Sequence, residues 1–118
     1  MENTFLYLST CSTCVRIIKE LGLVNSPLLQ DVKQHPASKD QLDFLYAAAK
    51  NYESLMNKRG RIFAHLKREG TVFTESIYKD LLEKEYSCLK RPILIFNNVA
   101  YMGNAKSTVA EMKVVLNG

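Results

Sequence analysis

At 118 residues, with 47% hydrophobic and 24% charged residues and a formal net charge of +4, the chain has the make-up of one globular domain. It is long enough for a core that needs no disulfide staples. No apolar stretch approaches a membrane span, and the Met-Glu-Asn-Thr start lacks a charged-then-apolar signal segment, so a cytoplasmic, non-membrane protein is expected. The basic residues Lys33, Lys39, Lys58, Arg59, Arg61, Lys67 and Arg68 mostly recur at helix-surface spacing. That reads as a solvated face rather than a nucleic-acid surface.

In chain order, residues 3–9 read as a buried strand and about 12–23 as a helix, broken by Gly22 and Asn25-Ser26-Pro27. Residues 28–32 read as a second strand. Two strands flanking one helix of this length predict a right-handed βαβ unit with parallel strands. The middle is helical. Ser38 and Gln41 form a capping box before Leu42, Leu45, Tyr46 and Ala49, and Tyr52, Leu55 and Met56 continue the apolar face. After the basic break Asn57-Lys58-Arg59-Gly60-Arg61 comes a short helix with Ile62, Phe63 and Leu66, closed by Gly70. Thr74 caps a further helix carrying Ile77, Leu81 and Leu82. Residues 93–96 and 99–102 form a hairpin around Asn97-Asn98, and a last helix begins near Ser107 with Val109, Met112 and Leu116 on one face. The order β-α-β, helices, β-β-α is an α/β architecture: one domain over 1–118 with a helical insertion at about 38–86.

Cys11-Ser12-Thr13-Cys14 sits where the first strand closes and the helix opens. A C-x-x-C in that setting is the layout of a thiol–disulfide site, because free N–H groups and the positive helix end favour a thiolate. Cys11 falls at about the cap, and Cys14 lies one turn further in, close enough to attack a mixed disulfide on Cys11. Two other readings compete. Zinc needs two more ligands, and His35, His65 and Cys88 are scattered without a short second pair. Cys14 also fits a small core hydrophobe, since it continues the Ile17, Ile18, Leu21 face. Cys11 does not, because it precedes that stripe among Ser and Thr. Cys88 reads as a packed thiol, with a distant resolving role as the alternative, and His35 and His65 read as surface residues.

The second signal is Lys90-Arg91-Pro92 at the start of the 93–96 strand. Together with Tyr7-Leu8-Ser9-Thr10-Cys11-Ser12-Thr13-Cys14 and Asn57-Lys58-Arg59-Gly60, it makes the chain resemble the arsenate reductase/Spx family over nearly its whole length. The resemblance implies a thioredoxin-like, glutaredoxin-like fold with a mixed sheet and a cis Pro92 facing the cysteine loop. It also implies that Arg91 lies near Cys11, where its planar fork suits an oxyanion. Catalysis would then fall to Cys11 as nucleophile, Cys14 as resolving thiol and Arg91, with Ser12, Thr13, Arg59, Arg91 and Pro92 binding substrate. The chain departs from the family at three places. Tyr7 stands where arsenate-reducing members commonly have His, Val15 where they often have Arg, and Asn57 where some place a second oxyanion-binding Arg. The stretch after the hairpin offers Lys106 but no Arg.

Three functions remain open at this point. One is a thiol-dependent reductase acting on a small oxyanion or on glutathione, with no bound cofactor or metal and with glutathione/glutaredoxin or thioredoxin as electron donor. A second is a Spx-like redox-sensing regulator that binds a protein partner, and a third is an inactive member that keeps only the fold. The missing polar and cationic aids rank general thiol–disulfide chemistry above dedicated arsenate reduction. A monomer is expected.

Overall fold

Phe5-Leu6 and Ile93-Leu94-Ile95 are unbroken apolar runs because they belong to the two interior strands of a four-stranded sheet. The computed structural model describes all residues, Met1–Gly118. They fall into two compact units, Met1–Pro36 with Arg91–Gly118, and Ala37–Lys90. No helix is long and apolar enough to cross a membrane.

The first unit holds β1 (Thr4–Tyr7), α1 (Ser12–Glu20), β2 (Leu29–Asp31), β3 (Ile93–Phe96) and β4 (Val99–Met102). Its last helix, Lys106–Asn117, is α5, the fifth in the chain. The strand order is β2-β1-β3-β4. β1 and β2 run parallel, with Phe5 opposite Leu29 and Tyr7 opposite Asp31. β3 is antiparallel to both β1 and β4, so the sheet is mixed. The expected βαβ unit and hairpin are both present. Asn97 and Asn98 turn the hairpin at φ 50° and 62°, the paired positive values of a type I′ turn.

Phe5 and Leu94 point to one face, where α1 and α5 cover them with Ile17, Ile18, Leu21, Val109 and Met112. Leu6, Ile93 and Ile95 alternate to the other face and are equally buried. The structure shortens α1 relative to its sequence pattern. The helix stops at Glu20, because Gly22 takes φ 71° and the Gly22 and Leu23 N–H groups donate back to the Lys19 and Ile18 carbonyls. That is a Schellman ending, with Leu23 and Ile18 supplying its apolar contact. The periodicity continued through Leu23 because the cap's own hydrophobe keeps the pattern.

The second unit is helical: α2 (Lys39–Ala49), α3 (Arg61–Arg68) and α4 (Glu75–Lys84), with short 3-10 turns at Glu53–Leu55 and Tyr86–Cys88. Both bonds of the Ser38/Gln41 capping box form, and the Thr74 hydroxyl accepts from the Ile77 N–H. Leu55 and Met56 are buried as expected, but the helix does not run on from α2 to reach them. Lys50 adopts φ 68° and ends the helix. Tyr46 then turns outward and stacks on Tyr52 at 4.3 Å, while the Glu75 carboxylate accepts from the Tyr52 and Glu53 N–H groups.

These placements set two different costs. Leu94→Ala removes a side chain with no exposure from between α1, α5 and the sheet and should destabilise by about 2–5 kcal/mol. Ser38→Ala removes one exposed cap bond and should cost only ~1 kcal/mol. Urea unfolding of the reduced protein checks the contrast, and equal losses would contradict this assignment of the core.

Candidate active site

The chain leaves β1 at Tyr7 and must reverse into α1 within four residues. Leu8 organises that reversal. Its carbonyl accepts from the Cys11 N–H at 3.0 Å, and its own N–H is directed at the Cys14 sulfur. Cys11 has extended backbone angles (φ −95°, ψ 111°) and is the N-cap of α1, its carbonyl accepting the first helical bond from Val15 at 3.1 Å. A cap residue normally offers a side-chain oxygen to the first free amides. Here the cap side chain is a thiol that makes no cap hydrogen bond, although the nearby Cys14 amide favours its ionised form.

The two thiols therefore differ. Partial burial of Cys11 raises its pKa, but the Cys14 N–H, the Cys14 thiol and the charge and hydrogen bond of Arg91 outweigh that and hold it below the ordinary thiol value. Cys14 has no exposure, and burial pushes its thiol up to about 11 despite the Leu8 N–H, with the negative charge of Cys11 acting in the same direction. Ionisation thus falls on the sulfur that solvent reaches. Chemically, such a pair offers an accessible thiolate nucleophile backed by a protonated thiol one turn behind it.

Arg91 and Pro92 lie in the same unit as Cys11 and Cys14. Arg91 is half-buried with its guanidinium within reach of the Cys11 sulfur, as the resemblance implied. Pro92 is buried after a cis Arg91–Pro92 bond, and its carbonyl accepts from the Gly103 N–H at 2.9 Å. Ser12 is exposed and Thr13 half-buried in the first turn of α1, beside Cys11. Arg59 belongs to the helical unit, where its N–H donates to the Asn57 side chain.

Asn57 uses its backbone N–H on the Cys88 carbonyl at 2.7 Å and its side-chain amide on the Ser87 carbonyl at 3.4 Å. This position therefore ties loops of the helical unit together. Cys88 is buried in the turn at Tyr86–Cys88. His35 and His65 are exposed, and no group of three or more potential metal ligands comes together.

Sequence reading passed over two contributors. Leu8 acts through its backbone, which no residue type announces. Asp31 closes β2 directly opposite Tyr7 and accepts from the Ser9 N–H at 3.3 Å. Its one sequence signal is an acidic residue ending a strand predicted to pair beside the cysteine loop.

No protein-family model and no curated protein matches the chain. Solved structures do. An ArsC family-related protein from Bacteroides fragilis superposes with TM-score 0.75 at 20% identity, over 95% of this chain and 99% of that one. An arsenate reductase from Vibrio cholerae gives 0.71 at 17% identity, over 95% and 98%. An arsenate reductase (ArsC) related protein from Brucella melitensis gives 0.65 at 21%, over 94% and 93%. The chain therefore has the thioredoxin-like α/β fold of these proteins along nearly its whole length.

The geometry ranks the three thiols. Iodoacetamide near neutral pH should alkylate Cys11 first, with a pH midpoint below that of an ordinary free thiol, and should spare Cys14 and Cys88 until unfolding. Peptide mapping reads the order, and first modification at Cys88 would overturn the assignment.

Proposed function

We propose that this protein is a thiol-dependent reductase, with Cys11 as nucleophile, Cys14 as resolving thiol and Arg91 as the cation beside the reacting sulfur. The observation that carries the reading is the asymmetry of the pair. Cys11 caps α1 under the Cys14 amide and Arg91, whereas Cys14 is buried and held protonated. A fold shared with structures of arsenate reductases and ArsC-related proteins supports it.

With a disulfide substrate, the Cys11 thiolate attacks one sulfur, forms a mixed disulfide and expels the other sulfur as a thiolate. Cys11 is then neutral, so one of the influences raising the Cys14 pKa disappears. Cys14 gives up its proton, attacks the Cys11 sulfur and expels the second half of the substrate. Two electrons have passed to the substrate and a Cys11–Cys14 disulfide remains. One helical turn between the residues suits the short Cα separation a disulfide requires. An external donor, two glutathiones with glutaredoxin or the dithiol of a thioredoxin, returns the pair to thiols. No resident cofactor enters the cycle.

On this reading the substrate is glutathione-linked or protein disulfide, or a small oxyanion. The amides of α1's first turn, at Ser12, Thr13 and Cys14, and the Arg91 fork would receive the anionic group, with Pro92 forming the wall beside them. Arg59 is assigned an auxiliary role in binding. Arsenate should be the poorer substrate, because Tyr7, Val15 and Asn57 supply none of the extra cationic or imidazole groups that a multiply charged oxyanion needs in its transition state.

Turnover of glutathione mixed disulfides and of arsenate, each with glutaredoxin and with thioredoxin as donor, tests the reading. Cys11→Ser should abolish both activities. Arg91→Lys should lower kcat/KM for the anionic substrate by about tenfold, equivalent to ~1.4 kcal/mol, because lysine keeps the charge and loses the fork. Arsenate turnover exceeding that of the mixed disulfide would reverse the order of substrates. No turnover, together with a stable protein complex that depends on disulfide state, would replace the enzyme with a redox-sensing regulator.

A further inference from the structure

We infer that Asp31 is a positioning residue for Cys11: through one carboxylate oxygen it pins the loop that sets the nucleophile at the cap of α1. The inference rests on the reading of Cys11 as the reactive thiol and adds a residue that nothing in the cysteine motif itself supplies.

Two backbone N–H groups converge on Oδ1 of Asp31, from Ser9 at 3.3 Å and from Lys33 at 3.1 Å. The Lys33 bond is a local turn at the end of β2 and has no bearing on the cysteines. The Ser9 bond crosses 22 residues of sequence and ends two residues before Cys11. Ser9 and Thr10 are exposed and outside β1, so no sheet ladder holds them. The Asp31 carboxylate thus restrains the stretch between Leu8, whose carbonyl accepts from the Cys11 N–H, and the cap itself.

Asp31 is a firm anchor. It pairs with Tyr7 across the β1–β2 ladder, and its carbonyl accepts from Gln34 and His35 at 3.0 and 2.8 Å. The next residue, Val32, is buried and donates to the Tyr7 carbonyl at 2.9 Å. Burial raises the Asp31 pKa, but the Ser9 hydroxyl, the Lys33 and Ser9 N–H groups and the Lys33 charge together outweigh it and hold the carboxyl below the usual range.

A negative charge near a thiolate opposes ionisation, and that gives the inference a clear sign. If Asp31 acted on Cys11 only through its field, removing the charge would lower the Cys11 pKa and speed alkylation in both Asp31→Asn and Asp31→Ala. If it acts by holding the loop, the two variants separate. Asparagine retains Oδ1, the oxygen that takes both amides, whereas alanine retains nothing.

The test is the pH profile of Cys11 alkylation in wild type, Asp31→Asn and Asp31→Ala, with the modified residue mapped by mass spectrometry. Asp31→Asn should alkylate within about twofold of wild type at pH 7, and Asp31→Ala at least about threefold more slowly with its midpoint moved upward, since rate follows thiolate fraction. Equal profiles in all three proteins, or equal changes in both variants, would overturn the inference.

A second measurement needs no variant. In amide proton spectra of the wild type, the Ser9 and Lys33 signals should shift together as Asp31 titrates in acid. A Ser9 signal that ignores this titration would also overturn the inference. Failure of the underlying reading looks different, because wild-type alkylation would then map to Cys88 or Cys14 whatever stands at position 31.

Discussion

The fold and the chemistry meet at the junction of β1 and α1, where one backbone residue, Leu8, has its N–H directed at one cysteine and its C=O bonded to the other. The sheet fixes Leu8 from behind, since Phe5 and Leu6 are fully buried in an interior strand. The core packing of α1 through Ile17, Ile18 and Leu21 fixes the helix in front. With both sides held, the helix start is fixed in place, and the residue at its cap position carries a thiol. The energetic logic is that of any helix N-terminus, in which unsatisfied N–H groups and the dipole favour negative charge. The sulfur converts that preference into a lowered pKa.

The same junction makes the pair unequal. Cys14 lies in the core stripe, so burial keeps it protonated while Cys11 ionises. Two equally exposed thiolates would repel each other and offer no order of events. In the proposed cycle, one accessible thiolate and one buried thiol set which sulfur meets the substrate first and which follows. A mixed disulfide on Cys11 discharges the group that helps keep Cys14 protonated, so the first step prepares the second.

Much of this was legible in the sequence because it rests on local chemistry. The cap position of Cys11, the Ser38/Gln41 box, the Thr74 cap and the Asn97-Asn98 turn are all short-range patterns of residue type, and each forms. The errors were of a different kind. Leu23 extended the periodicity of α1 because a Schellman ending uses a hydrophobe of its own, and Lys50 gave no sign that α2 would end there in a left-handed turn. Neither the approach of Arg91 to Cys11 nor that of Asp31 to Ser9 is written in spacing. The first came from a resemblance across the chain, and the second needed the register of β1 on β2. Asn57 shows the converse, since a position compared with an anion-binding site is occupied with bonds to two carbonyls of its own unit.

The central claim is a division of labour between two thiols, and trapping its intermediate tests it most directly. Incubation of the Cys14→Ser variant with glutathione disulfide, followed by intact-mass and peptide analysis, reads which sulfur is attacked first and what resolves it. The account predicts one glutathione held stably on Cys11 in the variant, and an internal Cys11–Cys14 disulfide with no retained glutathione in the wild type. A glutathione adduct on Cys88, or an adduct on Cys11 that persists equally in the wild type, would contradict it.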